Sequence, residues 1–142
     1  MSDELTPGKV QEMMLRAPYH RWLGLSVLAL DENGIDIKAT WREEWVVNAE
    51  KRYSHGGVLA ALVDLAADWA LVKHTGRGVP ALDLRVDFHA AAMPGDLIAK
   101  GRVIKAGGTI SSSEAHIYDL EGKLLASGRG TYFTAKPKTS TA

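Results

Sequence analysis

The sequence predicts an α+β fold, an antiparallel sheet wrapped around one long buried helix. Three observations carry this expectation. Val58 to Val72, VLAALVDLAADWALV, is almost entirely Ala, Val, Leu and Trp, with no Pro and no Gly. A run of helix formers that is apolar all round belongs inside a protein. Strand-like segments then succeed one another between Leu82 and Phe133. Glycine turns separate them at Met93-Pro94-Gly95-Asp96, Gly107-Gly108 and Glu121-Gly122-Lys123.

The elements follow in order. A helix is expected over residues 4–17, with Pro7 in its first turn, Val10, Met13, Met14 and Ala17 on one face, and Pro18 as its stop. Leu23 to Leu30 is apolar enough for a strand, and Asp31-Glu32-Asn33-Gly34 is a turn. Ile35 to Trp41 alternates with period two and reads as a half-buried strand. Arg42 to Arg52 is polar, with Trp45, Val46 and Val47 embedded, and reads as a loop leading into the apolar helix. Thr75-Gly76-Arg77-Gly78 ends that helix. Leu82, Leu84, Val86 and Phe88 alternate with Asp83, Arg85, Asp87 and His89, a strong strand signal. Further strands are expected over Leu97 to Ala106, Thr109 to Asp119 and Leu124 to Phe133. Residues 1–142 thus form one domain with a core over about residues 23–133, and a tail, 135–142, expected to fray.

Composition excludes several classes. The chain has 17 basic and 17 acidic residues, so no basic field points to nucleic acid. It has no cysteine, hence no disulfide, thiol nucleophile or Cys-type metal site. The polar, acidic start MSDELTPGKV does not resemble a signal peptide, and the apolar run, broken by Asp64 and Asp68, is too short for a membrane span. A cytoplasmic location is the expectation that remains. His20, His74, His89 and His116 lack metal-ligand spacing, so no metal is expected. Ser111-Ser112-Ser113 lacks a nucleophile elbow and is expected on a strand. Trp22, Trp41, Trp45 and Trp69 are expected in the core, with room for one or two in a ligand pocket.

The apolar helix also carries the chemistry. Ser54-His55-Gly56-Gly57 opens it, so its first turn is bare of side chains. Bare amides at a helix start can bind a developing negative charge. Asp64 lies two turns further on, where a carboxylate needs a partner. A desolvated Asp64 would carry a raised pKa, suited to a general base near neutrality. Asp68 shares its face at i+4 and is expected to point to a wetter edge. His55 fits an N-terminal cap better than a proton-transfer group. Carboxylate and amides together suggest acyl chemistry.

HGGVLAALVD, then LDLRVDFH, PGD, a glycine turn and LLASGRGTYF resemble the hotdog-fold acyl-CoA thioesterases, and most of all their phenylacetic-acid-degradation (PaaI-like) branch. The likeness runs from about Leu23 to Phe133. It implies a hotdog fold and homodimers, often paired into homotetramers, with active sites at the dimer interface. It implies hydrolysis of an acyl-CoA, possible with aryl or medium-chain acyl groups, and no cofactor beyond the coenzyme A of the substrate. On this likeness Asp64 matches the catalytic carboxylate, Gly57 the amide that polarises the thioester carbonyl, and His55 the histidine of the motif. Gly56, Asn48 and Ala81 fall at positions expected to line the substrate. Two departures stand out. Asn48 precedes the histidine by about one residue more than is usual, and Ala81 stands where relatives often carry Ser or Thr. Two rival functions remain open: a hydroxyacyl-thioester dehydratase, which would depend on His55, and a non-catalytic acyl-CoA-binding protein.

Overall fold

The structure is a computed structural model and describes residues 4–138. Six strands form one antiparallel sheet in the order β1-β2-β4-β5-β6-β3. They are β1 (Leu25–Asp31), β2 (Gly34–Ala39), β3 (Ala81–Phe88), β4 (Leu97–Lys105), β5 (Ile110–Asp119) and β6 (Leu124–Phe133). Helix α3 (Gly56–Trp69) lies against the inner face, touching β2 to β6. This is the expected α+β hotdog arrangement.

Alternation in the sequence decides which side chains meet α3. Leu97 and Ala99 of β4, and Ser113, Ala115 and Ile117 of β5, are buried at every second position. They face Leu59, Leu62, Val63 and Ala66 of the helix in one core cluster. The approach is closest at Gly101, where a Cβ would fall 2.0 Å from the Ala66 carbonyl oxygen. Small residues there let backbone meet backbone, so the helix has one seat. No helix among the described residues is long and apolar enough to cross a membrane.

Several boundaries differ from expectation, each for a local reason. The N-terminal helix is not continuous over 4–17. Helix α1 (Pro7–Met14) is capped by Thr6, whose side chain accepts from the Lys9 amide. Pro18 does not merely stop it but opens a second helix, α2 (Pro18–Trp22), because proline suits a first helical position. The long apolar run divides into α3 and a short α4 (Val72–Thr75), which Gly76 closes in the left-handed conformation at φ 72°. The loop over 42–52 contains a 3-10 turn at Glu43–Trp45, which drives Trp45 into the core. At the start of the tail, Arg77 Nη2 donates to the Ala135 carbonyl at 2.8 Å. Residues 139–142 of that tail, and 1–3, lie outside the described residues.

The close seat at Gly101 is testable. Gly101→Ala is expected to destabilise the fold by at least about 2 kcal/mol through overpacking, read as a lower urea midpoint. A midpoint within error of wild type would mean that α3 has slack against β4.

Candidate active site

The start of α3 is fixed by its neighbours before any side chain acts. The Ser54 amide donates to the Ala92 carbonyl and the His55 amide to the Trp45 carbonyl, each at 2.8 Å. Two glycines then leave the first turn bare. A Cβ at Gly56 would meet the Phe88 ring at 3.2 Å, and one at Gly57 would meet His55 Nδ1 at 2.8 Å. Beside this turn opens a hollow of about 380 Å³, lined by Tyr53, Ser54, Gly56, Leu59 and Phe88 to Ala92. Its walls are mainly apolar, and the Ser54 hydroxyl in its wall is buried without a hydrogen-bond partner among the described residues.

His55 is the N-cap of α3. The Gly57 amide donates to its Nδ1 at 2.7 Å, which makes Nδ1 the unprotonated nitrogen of a neutral ring. The amide expected to face a ligand is therefore already paired within the chain. The Gly56 amide, one residue earlier, has no protein acceptor among the described residues.

Asp64 lies two turns along the same helix, half-buried. Seven residues separate it from Gly57, a rise of about 10 Å, and Asp64 is not part of the hollow's wall. The Tyr132 hydroxyl donates to Asp64 Oδ1 at 3.0 Å and approaches the Asp64 carbonyl oxygen at 2.9 Å. Burial, and next the nearby Asp64 charge, hold the Tyr132 phenol well above the usual tyrosine range, so it stays a donor. Sequence reasoning missed Tyr132. The period-two pattern of β6 puts it on the helix side, but nothing in that pattern says which helical residue its hydroxyl reaches.

Asp68 corrects an expectation. It does not turn to a wet edge: its Oδ1 accepts from the Val79 amide at 2.8 Å, and burial pushes its carboxyl up to about 7. The apolar helix thus perturbs the carboxylate that pins the approach to β3.

The remaining candidates are scattered. Asn48 Oδ1 accepts from the amides of Glu50 and Lys51 at 3.1 and 2.8 Å, so it shapes its own loop, outside the hollow. Arg52, in the same loop, takes the left-handed conformation at φ 70°. Ala81 is exposed at the start of β3, opposite Tyr132 in the strand pair, and so belongs to the Asp64 end of the molecule. The structure brings His55, Gly56 and Gly57 together at the start of α3, and Asp64, Tyr132 and Ala81 about two turns further along it.

The family can now be stated. A sequence model of the thioesterase superfamily matches residues 53–126, which include the helix start, Asp64 and strands β3 to β5, and the chain belongs to that superfamily. A Halobacterium salinarum protein provisionally named an esterase is 30% identical over 122 residues, covering 78% of this chain and 80% of its own. A crystal structure described as a protein from the thioesterase superfamily is 44% identical, with a TM-score of 0.87 over 89% of this chain and 96% of that one. The PaaI protein of the Escherichia coli phenylacetic acid degradation operon shares the fold at 24% identity and a TM-score of 0.70, covering 80% of this chain and 85% of its own. Membership of the superfamily, with the esterase-named and the 44%-identical relatives, supports hydrolysis of a thioester bond in general.

The Asp68 carboxyl gives a pH signature. Unfolding returns it from about 7 to its ordinary value of 3.8, so between those values the folded chain binds more protons than the unfolded one. This group therefore lowers stability as pH rises through that window, and its effect levels off above it. Asp68→Asn keeps an acceptor for Val79 and removes the charge. Relative to wild type, its unfolding free energy from urea melts is expected to rise steadily from about pH 4 to about pH 8, by up to a few kcal/mol, one pKa unit being about 1.4 kcal/mol. A difference that does not change with pH would place Asp68 in water.

Proposed function

We propose that this protein hydrolyses an acyl-CoA thioester to a free acid and coenzyme A, as a member of the PaaI-like branch. The observation that carries the reading is one buried helix with a glycine-bare start beside an apolar hollow and a tethered carboxylate further along. The acyl group lies in the hollow, whose size favours short, medium or aryl chains. Its carbonyl oxygen takes the Gly57 amide from the His55 ring, with the free Gly56 amide beside it. Asp64 accepts a proton from water as the water oxygen attacks the carbonyl carbon. The amides and the helix dipole hold the oxyanion. The C–S bond then breaks, and the CoA thiolate leaves as it takes the proton held by Asp64, which restores the carboxylate. No cofactor takes part beyond the coenzyme A of the substrate.

Two copies of the chain are needed for this geometry. In one chain the amides and the carboxylate stand about 10 Å apart along α3. β3 links the two ends: Phe88 at its close abuts Gly56, and Ala81 at its start pairs with Tyr132, the partner of Asp64. β3 is also a sheet edge, hydrogen-bonded to β6 alone, with Leu82 and Phe88 more than half exposed. Antiparallel pairing of β3 with its copy would cover that edge. It would also bring the helix start of one chain toward Asp64 of the other.

The charges on β3 narrow the register. Arg85 has Arg129 as its cross-strand neighbour on β6 and Asp87 Oδ2 at 3.5 Å on its own strand. Pairing pivoted at Leu84 or Val86 sets Arg85 opposite Asp83 or Asp87 of the second copy, whereas a pivot at Arg85 sets it opposite itself. Opposite charges stabilise a cross-strand pair and like charges oppose it. The homodimer, further paired into a tetramer in this branch, is the assembly proposed.

Asp64→Asn is expected to keep the fold and lower turnover of acyl-CoA by on the order of 10²–10⁴-fold, measured as free thiol released from aryl, short-chain and long-chain substrates. His55→Ala is expected to cost about 1 kcal/mol of stability as a lost cap while retaining most turnover. The reverse ranking, with His55 indispensable and Asp64 not, would replace hydrolysis by dehydration.

The shared site has its own test. Asp64→Asn and Gly57→Val protomers, each inactive alone, are mixed under conditions of verified subunit exchange. Heterodimers carry one intact site and one doubly damaged site, so the mixture should recover about a quarter of wild-type activity. Verified heterodimers without activity would place each site within one chain.

A further inference from the structure

The last strand carries a side chain that reaches through the core to the carboxylate. Tyr132 is fully buried, and its single hydroxyl proton serves Asp64 Oδ1 at 3.0 Å beside the Asp64 carbonyl oxygen at 2.9 Å. A hydroxyl satisfied for packing alone would need just the carbonyl. Here it spans carbonyl and carboxylate, and so ties the Asp64 side chain to its own backbone.

The strand is shaped around this reach. The Tyr132 ring leans back along β6 over Gly130, where a Cβ would fall 2.4 Å from its hydroxyl oxygen and 2.5 Å from Cε2. Any larger residue at position 130 would push the ring aside.

We propose that Tyr132 is a positioning residue for the hydrolysis described above: its hydroxyl fixes the rotation of the Asp64 carboxylate through Oδ1 and leaves Oδ2 to take the proton from water. Gly130 provides the space that permits it. The inference rests on the proposed hydrolysis for its meaning, but its physical content, a donor that sets the orientation and basicity of Asp64, does not. The ionisable groups around the Tyr132 hydroxyl are all acidic: Asp64 and Asp68 from α3 and Asp83 from β3. Among three carboxylates the phenol keeps its proton, so it acts as a fixed donor and not as a second acid. A donor to the charged form of a carboxylate favours that form. Its loss makes Asp64 harder to ionise and free to rotate.

Tyr132→Phe keeps the ring over Gly130 and deletes the donor. The expected result is a kcat lower by about ten- to a hundredfold, the range for a hydrogen bond to a charged group, with KM within about twofold of wild type. The acid limb of the kcat profile should move to higher pH. The ¹³C carboxyl titration of Asp64, followed by NMR on the intact protein without substrate, should move the same way. Tyr132→Phe added to Asp64→Asn should cost no further turnover. Gly130→Ala, which keeps the hydroxyl but displaces the ring, should reproduce the kinetic and NMR changes and provides the second variant if Tyr132→Phe does not fold. A folded variant of either kind with unchanged kcat and an unchanged Asp64 titration overturns the proposal. A shifted Asp64 titration in a protein that hydrolyses no thioester upholds the bond and overturns the hydrolysis instead.

Discussion

The contact between α3 and the inner face of the sheet sets every other position in this molecule. The helix is too apolar to face water, and the sheet offers it a surface of Ala99, Ala115, Ile117 and Gly101. Because Gly101 meets the Ala66 backbone directly, the helix can neither roll nor slide without collision. The placement of Asp64 follows from that seat, since a carboxylate on a helix pressed to a sheet can be satisfied only by what the sheet presents. Tyr132 is what β6 presents.

Much of this was legible in the sequence because its signals are local. The apolar run marked the helix, alternation marked β3, and glycine turns separated the later strands. The motif likeness supplied the roles expected of His55, Gly57 and Asp64. Other features were not legible because they depend on distance in space. Leu125 and Tyr132 look alike as buried strand residues, yet Tyr132 alone of the two carries a hydroxyl that reaches α3, 68 positions away in the chain. Asp68 reads as free to face water in the sequence, because only the folded chain shows the Val79 amide beside it. Asn48 kept its polar side chain for its own turn, a choice fixed by loop length.

The distribution of charge ties the two ends of α3 to the sheet edge. Asp64, Asp68 and Asp83 gather around one phenol, while Arg85 lies beside Arg129 on the outer face of β3 and β6. Within one chain the second is already offset, since Asp87 Oδ2 stands 3.5 Å from Arg85 Nε and Glu114 lies opposite Arg129 across β5 and β6. The proposed dimer adds a further acidic neighbour to Arg85, and the first remains as the acidic setting in which Tyr132 keeps its proton. Burial of Asp68 adds a penalty that the fold carries in order to hold the approach to β3.

The imidazole cap on Gly57 has a consequence for how tightly ligands are held. A helix end left open would attract any passing anion, including the carboxylate product. Here an arriving group must first displace a neutral nitrogen that already accepts the Gly57 proton at 2.7 Å. For the proposed reaction, a ground-state carbonyl exchanges one neutral acceptor for another and gains little. A tetrahedral oxyanion exchanges a neutral acceptor for a charged one and gains much more. The resting occupant therefore subtracts nearly the same amount from substrate and transition state, leaving the substrate loosely held and the difference between them intact.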